Sequence, residues 1–411
     1  MNTNTPTFRS SYEHPLPLPV LSDDRRTAAK DFPEWKGEPT IKPALQALEI
    51  TFRLASHVLS DPRPYSVDAR EWNRRLASLC SRQMEILSLL FEQTENVTGI
   101  PVAGLGSPSR ASEASLLPRL AARDMTSCLA RQVLLQIESL LHMCRFTLGL
   151  GEPNRAGKPS LEYDLIVQPT SLHAFEGRCR HRNRDADVLF TIRHVSESWS
   201  CACNGLLGEI VAKIQRGDWE QAASDCWILE RIWKLLSEIE DLHMMMDPDD
   251  FLQLKTQLAS PSSSSASNSP FRFVSAALLE VASMSKNLKN NVPKILAVEV
   301  DPKGGPRVQE AAMRLFHSSG RGEGDNPGRL HLLQALQAVE AAVKRFFFGH
   351  RQLLTTLVGS LEATGNRGLI GVEASDIVFT EPPYFPSLDA AKTFLGDLWQ
   401  RELNKNCSLE Q

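Results

Sequence analysis

Residues 219–246 read WEQAASDCWILERIWKLLSEIEDLHMMM, and no other stretch so limits what the chain can become. Steps of three and four residues collect Trp219, Ala222, Cys226, Leu229, Trp233 and Leu236 into one stripe, and Trp227, Ile232, Leu235, Ile239, Leu242 and Met246 widen it onto neighbouring faces. A helix that apolar has to be covered on most sides. The segment is therefore expected to be a central helix of an all-α core, with the other helices packed around it. Asp218, behind Gly217, stands where an N-cap is wanted, and Asp247 followed by Pro248 closes the far end. Past its apolar body the chain turns acidic, with Glu238, Glu240, Asp241, Asp247, Asp249 and Asp250 and no Lys or Arg between 238 and 250.

Helical periodicity recurs along the chain. Leu45, Leu48, Phe52, Ala55 and Leu59 form one stripe, and Trp72, Leu76, Leu79, Ile86 and Leu90 another, over 68–92. Leu129, Val133, Ile137, Leu140 and Cys144 mark 123–146; Val188, Ile192, Val195, Trp199, Cys203, Leu206 and Ile210 mark 186–214. The longest run, 330–362, carries Leu333, Leu336, Val339, Val343, Phe346, Phe347, His350, Leu354, Leu357 and Leu361 and is the natural partner of 219–246. The expected fold is an all-α multi-helix bundle with long central helices. Residues 1–30, broken by Pro6, Pro15, Pro17 and Pro19, read as a disordered arm. Residues 31–259 read as an N-terminal helical region, 260–270 with its PSSSSASNSP run as a Ser-rich linker, and 271–411 as a C-terminal helical region on the same core.

A net charge of -4 over 411 residues gives no footing to a general nucleic-acid binder. No run of apolar residues is long enough for a membrane span, and the first residues lack the apolar segment of a signal peptide. Eight cysteines in a chain this long are not a disulfide scaffold, and Cys80, Cys128, Cys144 and Cys226 fall where helices want a small apolar residue. The glycine-rich connection LGLGEPNRAGKPSLEYD is not a phosphate loop, because Pro159 follows Lys158 where a helix should start. The basic run Arg178, Arg180, His181, Arg182 and Arg184 is answered at once by Asp185 and Asp187 and reads as a solvated face. Cys179, His181, His194, Cys201 and Cys203 lack the spacing of a zinc site, and no metal is expected. Hydrolase, metalloprotease, calcium-loop and dinucleotide motifs are missing, so no catalytic residue is assigned. Two features keep a binding role in view. His350 continues the stripe behind Phe346 and Phe347 and is a candidate cofactor ligand, haem being the group that an imidazole in a helical bundle suits. Asp247, Asp249 and Asp250, just beyond a rigid helix, are candidate partner-binding residues.

Long blocks are recognisable as sequence: FPEWKGEPTIKPALQALEITFRLASHVLSDPRPY at 32–65, EWNRRL at 71–76, TLGLGEPNRAGKPSLEYD at 147–164, ASDCWILERIWKLLSEIEDLHMMMDPDDFLQLKTQL at 223–258, VPKILAVEVDPKGGPRVQEAAMRLF at 292–316 and LQALQAVEAAVKRFFFGHRQLLTTLVGSLEA at 333–363. Together they closely resemble the plant nematode-resistance-protein-like family. The resemblance implies a cytoplasmic, non-enzymatic, stress-induced regulator of basal defence that uses no cofactor. It also implies a partner, the beta-gamma regulatory subunit of the plant AMPK-like energy-sensing kinase. The family is distantly similar in fold to haem-containing tryptophan and indoleamine dioxygenases. That kinship implies a dioxygenase-like helical architecture and, as the alternative function, a haem- or indole-type ligand-binding protein or oxygenase, for which His350 is the positional candidate.

The composition of 260–270 generates a test. Limited proteolysis is expected to cut there before it cuts 219–246 or 330–362, because helical backbone must open before a protease can grip it. The fragments should stay together. First cleavage inside 219–246 would remove the linker assignment.

Overall fold

The structure is a computed structural model and describes residues 40–60, 69–93, 111–177, 184–247, 249, 276–299, 307–320, 327–359 and 381–409. The arm at 1–30 and the Ser-rich segment at 260–270 lie outside the described residues. In chain order the helices are α1 (Ile41–Leu59), α2 (Ala69–Gln93), α3 (Leu116–Ala121), α4 (Asp124–Leu140), α5 (Tyr163–Val167), α6 (Pro169–Gly177), α7 (Arg184–Arg216) and α8 (Trp219–Glu240). A 3-10 turn, Asp241–Met245, prolongs α8, and α9 (Ala276–Asn287), α10 (Val292–Ile295), α11 (Arg307–Gly320), α12 (Pro327–Val358) and α13 (Pro386–Leu409) follow. The expected all-α bundle with long helices is what forms. Among the described residues the extended structure amounts to an isolated parallel bridge between Thr147 and Ser160.

The most extensive helix pairing joins α8 to α12. It is parallel. Gly328 at the start of α12 lies against Trp219 and Glu220 at the start of α8, where an added Cβ would come within 2.8 Å of the Glu220 Cγ. Further along, Trp227 Nε1 donates to His331 Nε2 at 2.8 Å. Trp233 meets Phe346 edge-on at 5.4 Å, and the far ends close where His350 Nδ1 reaches Glu240 Oε2 at 3.2 Å. Partner positions thus advance together along both helices.

The α7–α8 hairpin turns on Gly217, whose φ of 87° is the left-handed conformation that a helix C-terminus uses to reverse. Its N–H and that of Asp218 both bond to the Lys213 carbonyl at 3.0 Å. Asp218 therefore occupies the expected N-cap position without capping: its carboxylate takes Arg216 Nε at 2.9 Å instead. Lys213 ties the hairpin across its mouth through an ion pair of 2.6 Å to the buried Asp225. A buried chain of hydrogen bonds then links α7 to α1 and α2. Trp199 Nε1 donates to Gln83 Oε1, Gln83 Nε2 to Thr51 Oγ1, and Thr51 Oγ1 to the Ala47 carbonyl.

Two sequence expectations need correction. Helix α8 keeps a solvent stripe at Glu220, Gln221, Ser224, Arg231 and Lys234, whereas residues 188–200 of α7 are buried on every face. The centre of the bundle is thus shared, and α7 lies the deeper, enclosed by α1, α8 and α9. Its polar residues Arg193, His194 and Glu197 are buried too, which the apolar stripe of Val188, Ile192, Val195 and Trp199 does not show. The second correction is Cys128, which faces solvent while Cys80, Cys144 and Cys226 are buried as expected.

Trp233 is fully buried between Phe346 and Phe347. Trp233→Ala should cost roughly 3–5 kcal/mol, through lost transfer energy and a cavity that the α8–α12 seam cannot close. Denaturant unfolding of wild type and variant measures it; a loss under about 1 kcal/mol would show that this seam does not hold the core.

Candidate functional site

The end of α8 gathers several of the ionisable groups that the fold takes out of water. Glu240 closes the helix with its side chain turned inward, and α12 presents His350 to it at 3.2 Å. In the 3-10 turn that follows, His243 Nδ1 donates to the Glu240 carbonyl at 2.7 Å and lies 3.9 Å from its carboxylate. From α7, Arg193 adds positive charge and pairs with Glu197 at 3.4 Å. Burial pushes the Glu240 carboxyl up, but the hydrogen bond from His350 and the charges of His350, His243 and Arg193 outweigh it and hold the group below its ordinary range. His243 goes the other way. Burial pushes it below its ordinary value of 6.5 against the pull of Glu240.

This cluster is sealed, with Glu240, His243 and His350 at 6, 3 and 2% exposure. The His350 ring is stacked on Phe346 with centroids 6.1 Å apart, and its Nε2 is itself shut off from solvent. A haem iron needs that nitrogen on an open face, so the imidazole as placed does not fit the group. Among the described residues no group of three or more His, Cys, Asp and Glu side chains is placed to hold a metal ion.

Immediately outside the seal lies the acidic end. Asp241, Met244, Asp247 and Asp249 are exposed, and the Asp249 N–H donates to Asp247 Oδ1 at 2.8 Å. Asp250 lies outside the described residues. Although 238–250 has no base of its own, α2 supplies two. Arg82 Nε sits 3.4 Å from Glu238, and Arg75 Nη1 donates to the Asp241 carbonyl at 3.2 Å. The first part of the acidic run is thereby answered, and Asp247 and Asp249 are left projecting.

Another buried carboxylate, Glu49 on α1, has no counterpart in the sequence reading. It accepts from Ser115 Oγ at 2.7 Å, Leu116 N at 2.9 Å and Tyr163 OH at 3.0 Å, and it pairs with His173 at 2.9 Å. Those partners lie 66 to 124 residues away, so no local pattern could have flagged it. Lys158, the lysine of the glycine-rich connection, has a structural task of its own. Its Nζ donates to the carbonyls of Leu141, His142 and Cys144 and closes the C-terminal end of α4. His142, expected on a helix, stands in the exposed turn after it.

The cluster at Glu240 makes stability depend on pH. Below pH 6.5 the unfolded chain takes up a proton at His243 that the folded chain, with its depressed histidine, resists, so stability is lost as pH falls. Glu240 adds to the loss below its ordinary 4.5, as pH falls through its lowered folded value. Urea midpoints should therefore drop between about pH 7.5 and about pH 5.5, and His243→Gln should flatten that drop. An equal slope in the variant would show that His243 is not the group involved.

Comparison with known proteins follows the same residues. Residues 1–138 match the family model described as Hs1pro-1 N-terminus, and residues 141–401 match the one described as Hs1pro-1 protein C-terminus. The two models adjoin at the end of α4. Nematode resistance protein-like HSPRO2 of Arabidopsis thaliana is 45% identical over 402 residues, covering 97% of this chain and 90% of the relative. Nematode resistance protein-like HSPRO1 of the same plant is 46% identical over 402 residues, covering 95% and 90%. No solved structure matches the chain. With two family models matching 1–138 and 141–401 and two relatives at 45% and 46% identity over 402 residues, the chain belongs to the plant Hs1pro-1 family of nematode-resistance-like proteins.

Proposed function

We propose that this protein is a non-enzymatic regulator of basal defence and stress response that works by docking other proteins, and that the acidic end beyond α8 is one of its docking points. The observation that carries the reading is the contrast at that end. Glu240, His243 and His350 are consumed by packing, while Asp247 and Asp249 stand in water on a turn whose base those residues fix. Charges held on a rigid base lose little freedom on binding and steer a basic partner. The partner we assign, the beta-gamma regulatory subunit of the plant AMPK-like energy-sensing kinase, in the cytoplasm, rests on the family resemblance. So does the kinship with dioxygenases. A haem- or indole-type ligand at His350 has against it the enclosed Nε2 and the stacked Phe346.

The test reverses Asp247, Asp249 and Asp250 to Lys. Association with the purified kinase subunit should slow by about tenfold at low salt, and the difference should shrink as ionic strength rises and screens the steering. Circular dichroism should show unchanged helicity, since exposed charges past a helix end do not support the core. Unchanged association rates at every salt concentration would sink the acidic-end assignment; absence of wild-type binding would remove the partner.

A further inference from the structure

Helix α4 is the element whose outer face the sequence misjudged, and that face is organised. Met125, Cys128, Gln132, Leu135 and Ser139 follow one another at helical spacing along its exposed side. Met125 is 70% exposed, Leu135 54%, and Met143 in the turn beyond 79%. Single exposed apolar side chains are ordinary, but here Met125, Cys128 and Leu135 lie in one row of about 15 Å that points toward Met143. The row opens onto a cleft of about 640 Å³, lined by Leu135, Glu138, His142, Pro153, Arg155 and Lys158 among others. The cleft has a stiff far wall. Asn154 clasps Lys158 through its N–H at 3.0 Å and its carbonyl at 2.7 Å, and the Lys158 ammonium is fastened to the end of α4.

Charge decides what can lie there. Residues 119–158 hold Arg119, Arg123, Arg131, Arg145, Arg155 and Lys158 against Asp124, Glu138 and Glu152, an excess of positive charge on a chain whose net charge is -4. Two of those carboxylates are already engaged, as are Arg155 and Lys158, and the remaining charges, Arg119, Arg123, Arg131 and Arg145 against Asp124, still carry a positive excess. Glu152 is buried and accepts the N–H groups of Gly149 and Leu150, and Glu138 pairs with Arg155 at 3.6 Å. An apolar row with a cationic border is complementary to a helix that is apolar on one face and acidic on the other. Exposed methionines suit such a surface, because an unbranched thioether chain adapts to the partner it meets. The concave cleft favours a peptide over a lipid surface, since side chains can enter it and a flat headgroup layer cannot.

We propose that the outer face of α4, with the cleft between it and residues 153–158, is a docking site for an acidic amphipathic helix of a partner protein. It is a second surface, opposite in sign to the acidic end and independent of it.

The probes are two labelled peptides of equal length and identical Leu face, one with Glu and one with Lys on the polar face. Fluorescence anisotropy with the full chain should show the Glu peptide binding at least about tenfold more tightly than the Lys peptide at low salt, with the preference falling as salt is added. Leu135→Glu and Arg155→Glu should each weaken the Glu peptide by at least about tenfold while helicity is unchanged. Cys128 supplies a readout that needs no variant: saturating Glu peptide should slow its alkylation by iodoacetamide, followed by peptide mass mapping. Equal affinity for both peptides, indifference to both substitutions, or unprotected Cys128 would each overturn the proposal. So would co-sedimentation of the chain with phosphatidylserine vesicles in place of peptide binding, which would make the surface a lipid site.

Discussion

Glu240 is the charge to which the bundle has to answer. It stands at the C-terminal end of α8, where the helix dipole is already negative, and its carboxylate is turned into the core. A buried anion at such a point is tolerated only if cations and donors are brought to it. Its last turn has no basic residue, so the answer comes from elsewhere: His350 from α12, Arg193 from α7 and His243 from the turn that follows. Each of these side chains fixes the register of its own element against α8. The parallel run of α12 beside α8 is part of that answer, because only in this direction does His350 arrive at the end where Glu240 lies.

Elsewhere in the molecule carboxylates do a comparable job for irregular chain. Glu49 joins α1 to Ser115, Leu116, Tyr163 and His173, and Glu152 closes its own turn on Gly149 and Leu150. Asp164 accepts from Ser112 Oγ and from the Glu113 N–H. Segments without helical ladders have backbone N–H groups to satisfy, and an inward carboxylate serves two or three at once. Such bonds hold the glycine-rich connection in place. They are also why the cleft beside α4 has a fixed shape.

The interior thus absorbs acidic side chains, and two exposed places on the surface differ in sign. Asp247 and Asp249 project past α8, while Arg123, Arg131, Arg145 and Arg155 project around α4. A chain with little net charge can in this way present two faces of opposite character.

Much of the helical layout was legible in the sequence. The stripes of 219–246 and 330–362 named their own partners, since apolar residues at steps of three and four leave a helix no choice but to be covered. The stripe Leu45, Leu48, Phe52, Ala55 and Leu59 is buried to the last residue. What periodicity could not supply was anything decided by charge at long range. Arg193, His194 and Glu197 are buried beside the apolar stripe of α7, and no stripe could show it, because the cost of burying a charge depends on partners that a local pattern does not contain. His350 drew notice as an isolated imidazole, and only packing supplied Glu240, 110 residues earlier in the chain. The run 238–250 held no base, yet α2 brings Arg75 and Arg82 to its first half and leaves Asp247 and Asp249 projecting. Cys128 was placed in the core because a small sulfur side chain suits either side of a helix, and only the packing of α2 and α3 on the other face of α4 turned it to water. Hydrophobic spacing is a property of neighbours in sequence and fixes which faces are covered; ion pairing is a property of neighbours in space, and the tertiary structure alone decided it.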